Sequence, residues 1–199
     1  MANGKYIWLD GPDGVGKTTI CRELAKKIKP SITVAFPSRA TAPGKLIREV
    51  FEGKQQVDLR AMMWLFIADG VDMEPRIAQW LAEGTTVVAD RHTFVSSQVY
   101  QTEIHSKNDV LQAQYIAGFR MPDRAYFLDL DPREALARLT ARGEAINPLY
   151  ESVDLDKLDM MRVKYLRVAQ GMGARARIVM AHKVEEVTQF ILDDLHTMA

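Results

Sequence analysis

The sequence predicts an α/β fold, a parallel five-stranded sheet with helices on both faces. Two observations carry the prediction. Short β-branched or apolar runs alternate along the chain with stretches whose apolar residues recur at helical spacing, and a glycine-rich turn joins the first run to the first helix. Strands separated by helices pair in parallel through right-handed crossovers, which puts a ligand crevice at the carboxyl ends of the strands.

Residues 6–10 form a short apolar strand that ends in the glycine-rich turn. Residues 17–29 follow as a helix, with Ile20, Leu24, Ala25 and Ile28 on one face. Residues 32–36 and 85–90 are β-branched strands, and residues 125–130 and 176–180 supply two more. Helical patterns occupy residues 58–83, with Pro75 as a kink or first-turn residue, residues 95–118 and residues 154–171. No internal repeat or Gly/Ser linker divides residues 1–199, which read as one domain, and residues 143–152 have the Gly- and Pro-containing look of a short lid.

Composition narrows the function. With 26 basic and 26 acidic side chains the formal net charge is zero, so the bulk attraction needed for a nucleic-acid polymer or an anionic membrane surface is missing. Cys21 alone cannot form an internal disulfide, and four histidines without a cysteine partner nearby do not suggest structural zinc. No charged leader with an apolar core and no membrane-length apolar run is present, so the expected location is the cytoplasm.

The chemistry concentrates in Gly11-Pro12-Asp13-Gly14-Val15-Gly16-Lys17-Thr18, which matches G-x-x-x-x-G-K-[ST] between a strand and a helix. Backbone N–H groups from Gly11 to Thr19 can curl around phosphates at a helix N-terminus. Lys17 reaches the β- and γ-phosphates, and the Thr18 hydroxyl can ligate Mg²⁺. ATP and Mg²⁺ are therefore the expected cofactors. A guanine-specifying Asn-Lys-x-Asp element is absent, and the strand at 85–90 ends in Asp90-Arg91, without the glutamate usual in motor ATPases. An aspartate followed by an arginine suits a site that holds both Mg²⁺ and a second phosphorylated substrate. Arg39 and Arg91, each beside a strand end, have the guanidinium geometry for that second phosphate.

At this point the sequence resembles the thymidylate kinase family. The resemblance rests on the phosphate-binding loop, on Phe36-Pro37-Ser38-Arg39 with the following Thr41 to Ile47, on Asp90-Arg91-His92 followed by Ser97-Gln98-Val99-Tyr100-Gln101, and on Asp129-Leu130-Asp131-Pro132 with Arg142-Gly143-Glu144. It implies a P-loop kinase fold and ATP-dependent transfer to a deoxynucleoside monophosphate, most often thymidylate. By the same resemblance Arg39 and Arg91 sit on the acceptor phosphate and Asp13 accepts from the 3′-hydroxyl. Phe66 stacks on the base beside Phe36. Ser97 and Gln98 give polar contacts, and Tyr100 senses the 2′ position. Asp90 organises Mg²⁺ with Thr18. Arg138 and Arg142 flank the lid as charge stabilisers, Tyr150 in the lid faces the acceptor sugar, and a homodimer uses the helices at 58–83 and 95–118.

The chain departs from the family pattern in three places. The family's catalytic arginine of the loop or lid is replaced by Gly14 in the loop and Asn147 or Leu149 in the lid. Gly70 stands where the family commonly has an arginine that contacts thymine, and Met180-Ala181-His182 replaces an acidic stretch near the adenine. Two further readings stay open: a kinase for another or a modified deoxynucleotide, and a nucleotide-binding regulator without turnover.

Overall fold

The computed structural model describes residues 4–142, with Arg142 in its backbone only, and residues 154–198. The expected lid at 143–152 lies outside the described residues. Five strands, β1 Tyr6–Asp10, β2 Ser31–Ala35, β3 Thr86–Asp90, β4 Arg124–Asp129 and β5 Ala176–Met180, form one sheet in the order β2-β3-β1-β4-β5. Every neighbouring pair is parallel. The helices are α1 Lys17–Lys27, α2 Ala42–Phe51, α3 Leu59–Ala82, α4 Thr93–Tyr100, α5 Lys107–Ala117, α6 Pro132–Arg142, α7 Leu155–Gly171 and α8 Val184–His196.

Period-two alternation on β1 builds a core on each face of the sheet. Tyr6 and Trp8 point to the layer of α3, α4 and α7, with Ile77, Val95 and Tyr165. Ile7 and Leu9 point to the layer of α1 and α8, with Ile20, Leu24 and Ile191. The three central strands β1, β3 and β4, buried on both faces, read as nearly continuous apolar runs, and the edge strands β2 and β5 read from their β-branched residues.

Register then fixes where chemistry can occur. Leu9 and Ala35 both pair with Asp90, so the carboxyl ends of β1, β2 and β3 come level. After β1 the chain moves outward to β2 and β3 on one side and to β4 and β5 on the other, and the turn after β1 sits at that reversal.

The structure corrects one element. Residues 95–118 are not one helix but α4 and α5, separated by residues 101–106. The Ser106 hydroxyl accepts from Asp109 N–H as the N-cap of α5, and Gly118 ends that helix in the left-handed region at φ 63. Pro75, by contrast, lies within α3, which runs on past it.

Candidate active site

The loop after β1 needs its glycines. Gly11, Gly14 and Gly16 have φ of 141, 82 and 94, and a Cβ on Gly11 would stand 2.5 Å from Leu128 O. Gly16 precedes α1 without a side-chain cap, and no acidic residue occupies the first turn, so the helix N-terminus is available to an anion.

Lys17 turns back under this loop. Its Nζ donates to Gly11 O at 2.9 Å and Pro12 O at 2.5 Å, which places a buried cation beneath the position of the phosphates. Burial, helped by Arg91 nearby, brings its pKa down to about 8, and Asp13, Asp90 and Asp10 resist that fall.

Asp90 ends β3 one turn away. Its Oδ2 accepts from the Thr18 hydroxyl at 2.5 Å, so the two expected Mg²⁺ ligands stand side by side. Arg91 follows as the only described non-glycine residue with positive φ, at 68. Two backbone bonds hold this turn: Arg91 N–H donates to Leu9 O at 2.8 Å, and His92 N–H donates to Asp10 Oδ2 at 3.0 Å. The guanidinium is thereby aimed back over the loop, where Nη1 donates to Gly11 O at 3.0 Å and Nη2 pairs with Asp13.

A third strand end completes the surface. Phe36 N–H donates to Asp90 O at 3.2 Å, and the segment after it is gripped from two sides. Arg48 Nε on α2 donates to Pro37 O at 2.8 Å. Asp69 on α3, fully buried, accepts from Ser38 N–H at 2.9 Å and from the Thr41 hydroxyl. Arg39 lies between these two attachments. A cavity of about 470 Å³ opens in front, lined by Asp13, Gly14, Gly16, Lys17, Thr18 and Thr19 on the loop side. Phe36, Arg39, Arg48, Asp90 and Arg91 line it from the strand ends, with Arg22 and Leu139 at the margin. Five cations around one cavity form a receptacle for more than one phosphate.

Several expected residues are not among those that line this cavity. Val15 is buried in the core beside Ile20 and Ala135, so only its backbone can serve a nucleotide, and Gly11 offers its carbonyl to Lys17 and Arg91. Arg138 is a correction: its guanidinium donates to Ala181 O and His182 O, both at 3.1 Å, and secures the turn after β5. Ser97 is fully buried, donating to Thr93 O at 2.7 Å and accepting from Gln114 Nε2 at 2.6 Å. Gln98 Nε2 donates to Gln114 Oε1 at 3.1 Å, and neither residue lines the cavity. Phe66 packs with Ile47, Val50 and Met62 between α2 and α3. The Tyr100 hydroxyl accepts from the Tyr165 hydroxyl at 3.2 Å. Tyr150 and the Arg142 side chain lie outside the described residues.

Sequence reasoning missed Asp10, Arg48, Asp69 and Tyr165. Asp10 is a carboxylate in the deepest part of the sheet, and burial raises its pKa to about 7 against Arg91, Lys17 and the His92 N–H. A lone carboxylate at the end of an apolar strand, or within the apolar run of α3, was the available signal for Asp10 and Asp69.

Gly70 has a steric explanation. A Cβ there would stand 2.6 Å from Phe119 Cε1 and 3.3 Å from Thr93 Cβ, so the Phe119 ring fills the space of a side chain at 70. Ring contacts continue from Phe119 to His92 at 5.5 Å and from His92 to the cavity residue Phe36 at 5.1 Å. His92 is itself stacked on Trp8 at 3.9 Å and kept neutral by burial, its pKa lowered to about 3.

A G-x-x-x-x-G-K-T loop over a buried lysine, sharing one cavity with arginines at the carboxyl ends of a parallel sheet, is the arrangement of a P-loop nucleoside monophosphate kinase. The family model described as thymidylate kinase matches residues 9–191, and the chain belongs to the thymidylate kinase family. It is 31% identical over 200 residues to the thymidylate kinase of Danio rerio, covering 96% of this chain and 89% of that protein. It is 29% identical over 210 residues to the thymidylate kinase of Vibrio parahaemolyticus, covering 98% and 97%. The solved thymidylate kinase of Candida albicans shares the fold with a TM-score of 0.80 at 23% identity, covering 99% of this chain and 93% of that one.

Proposed function

We propose that this chain transfers the γ-phosphoryl group of ATP to a deoxynucleoside monophosphate, thymidylate before others, giving ADP and the nucleoside diphosphate. A single observation carries the reading: Lys17 and the first residues of α1 line one cavity together with Arg39 and Arg91, so cations for donor and acceptor phosphates share one space. An oxygen of the acceptor phosphate attacks the γ-phosphorus while the bond to the β–γ bridging oxygen breaks. The attacking oxygen is already anionic, so positioning and charge neutralisation are the catalysis.

In this reading the backbone of Gly11 to Thr19 and the Lys17 ammonium hold the ATP phosphates. Arg91 and Arg39 hold the acceptor phosphate, Asp13 accepts from the acceptor sugar, and Phe36, Phe66 and Tyr100 belong to the nucleoside side. Thr18 and Asp90 fit Mg²⁺, a hard cation that takes oxygen ligands, and the ion would neutralise charge on the ATP phosphates. Among the described residues no group of three or more His, Cys, Asp or Glu side chains could hold a metal, which leaves phosphates and water to complete its shell. Arg142 is the remaining arginine for the lid side.

No helix of the described residues is long and apolar enough to cross a membrane, and a cytoplasmic location fits. A homodimer is proposed through α3 and α5, where Trp64, Tyr115 and Ile116 are 58%, 87% and 79% exposed. Sedimentation of the wild type should give twice the chain mass and Trp64→Glu a monomer. A monomeric wild type would remove the dimer.

The departure at Gly70 sets the expected selectivity. With Phe119 filling the space of a side chain at 70, no charged donor from that position is left unpaired when the base changes. The Candida albicans enzyme is described as having broad substrate specificity. An ADP-release assay with MgATP against a panel of nucleotides should show thymidylate accepted, with at least one other deoxynucleoside monophosphate within about two orders of magnitude in kcat/KM. Rejection of thymidylate would overturn the substrate, and thymidylate alone would place another discriminating donor in the site.

A further inference from the structure

Arg91 is anchored by a residue from a distant part of the chain. Tyr165, on α7 and 2% exposed, packs with Met161 and Val168 in the core on one face of the sheet, and the Arg91 Cζ lies 6.0 Å from its ring centroid. The Tyr165 hydroxyl accepts from Arg91 Nη1 and donates to the Tyr100 hydroxyl at 3.2 Å, so its donor and acceptor roles are both defined. Nη1 also donates to Gly11 O at 3.0 Å. Two acceptors on one nitrogen fix the plane of the guanidinium, because rotation about the Cδ–Nε bond or a shift of the side chain would break one of the two bonds. The edge formed by Nη2 and Nε is not engaged by these two bonds, and its Nη2 donates to Asp13, which like Arg91 lines the cavity.

We propose that Tyr165 is a positioning residue for the acceptor phosphate, its hydroxyl setting the plane of Arg91 so that the Nη2–Nε edge faces the cavity. This rests on the reading of Arg91 as an acceptor-phosphate ligand. A planar fork binds two phosphate oxygens only when its plane is correct, and a displacement of about 1 Å can cost on the order of 10² in rate. Tyr165 itself touches no substrate.

Tyr165→Phe keeps the ring and deletes the hydroxyl. Two ligands separate positioning from core support: thymidylate, which carries the phosphate, and thymidine, which lacks it. Calorimetric titration should show thymidylate weakened about tenfold and thymidine unchanged. Steady-state assays should show a similar loss in kcat/KM for thymidylate, with the KM for ATP within about twofold of wild type. In an Arg91→Ala background the same substitution should have no further effect, because the group it positions is gone. Equal weakening of both ligands, no weakening of either, full effect in the Arg91→Ala background, or a variant that no longer folds would each return Tyr165 to a core role. Failure of the wild type to bind or phosphorylate thymidylate would instead overturn the function from which the assignment starts.

Discussion

Lys17→Ala is expected to lower kcat by at least about 10³-fold while the protein keeps its fold and melts no lower than wild type. The kinetic part follows from position, since the ammonium lies under the loop proposed to hold the donor phosphates, and no other described lysine lines the cavity. The stability part follows from the lowered pKa of about 8 against 10.5. A lysine whose folded pKa lies below its unfolded value binds its proton less readily when folded. Its charge is therefore a cost to folding at neutral pH, removed only as pH rises through the window between the two values. Alanine removes that cost and with it the Lys17 bond to Pro12 O, while Gly11 O keeps Arg91 as a donor. Activity assays alongside thermal denaturation check both halves, and an active variant would refute the loop as the donor site.

Asp90→Asn is expected to reduce kcat by about 10² or more and to raise the Mg²⁺ concentration needed for half-maximal rate. Asparagine has the same shape and retains an oxygen that can accept from Thr18, and the backbone pairing of Asp90 with Leu9 and Ala35 does not depend on its side chain. The substitution therefore removes charge at fixed geometry. Kinetics at varied Mg²⁺ read the effect directly, and an unchanged Mg²⁺ dependence would take Asp90 out of the metal's shell.

Local chemistry explains what was legible. The strand, glycine turn and helix from Tyr6 to Lys27 could be read almost to the residue because apolar alternation, three glycines needing positive φ and a helix N-terminus all act within one short stretch. Strand β5 was read from Ala176 to Met180 on its β-branched Ile178 and Val179. The break between α4 and α5 was not read, although Ser106 with Asp109 three residues on is a capping signature, because the flanking apolar periodicity looked continuous. Arg138 shows the other limit. The direction of a long side chain depends on which carbonyls tertiary folding brings near, here Ala181 and His182 some forty residues away. Tyr165 and Asp69 look like ordinary members of helices until the fold sets them against Arg91 and the Arg39 segment.

Two phosphate sites that share one cavity should exchange a phosphoryl group. Incubation of the protein with ATP labelled in the γ-phosphate and with thymidylate, followed by separation of the nucleotides, tests it most directly. Label is expected in thymidine diphosphate, in equal amount to the ADP formed and dependent on Mg²⁺, and no label in thymidine diphosphate with Lys17→Ala. Label appearing only as inorganic phosphate, or remaining in ATP while both nucleotides bind, would contradict it.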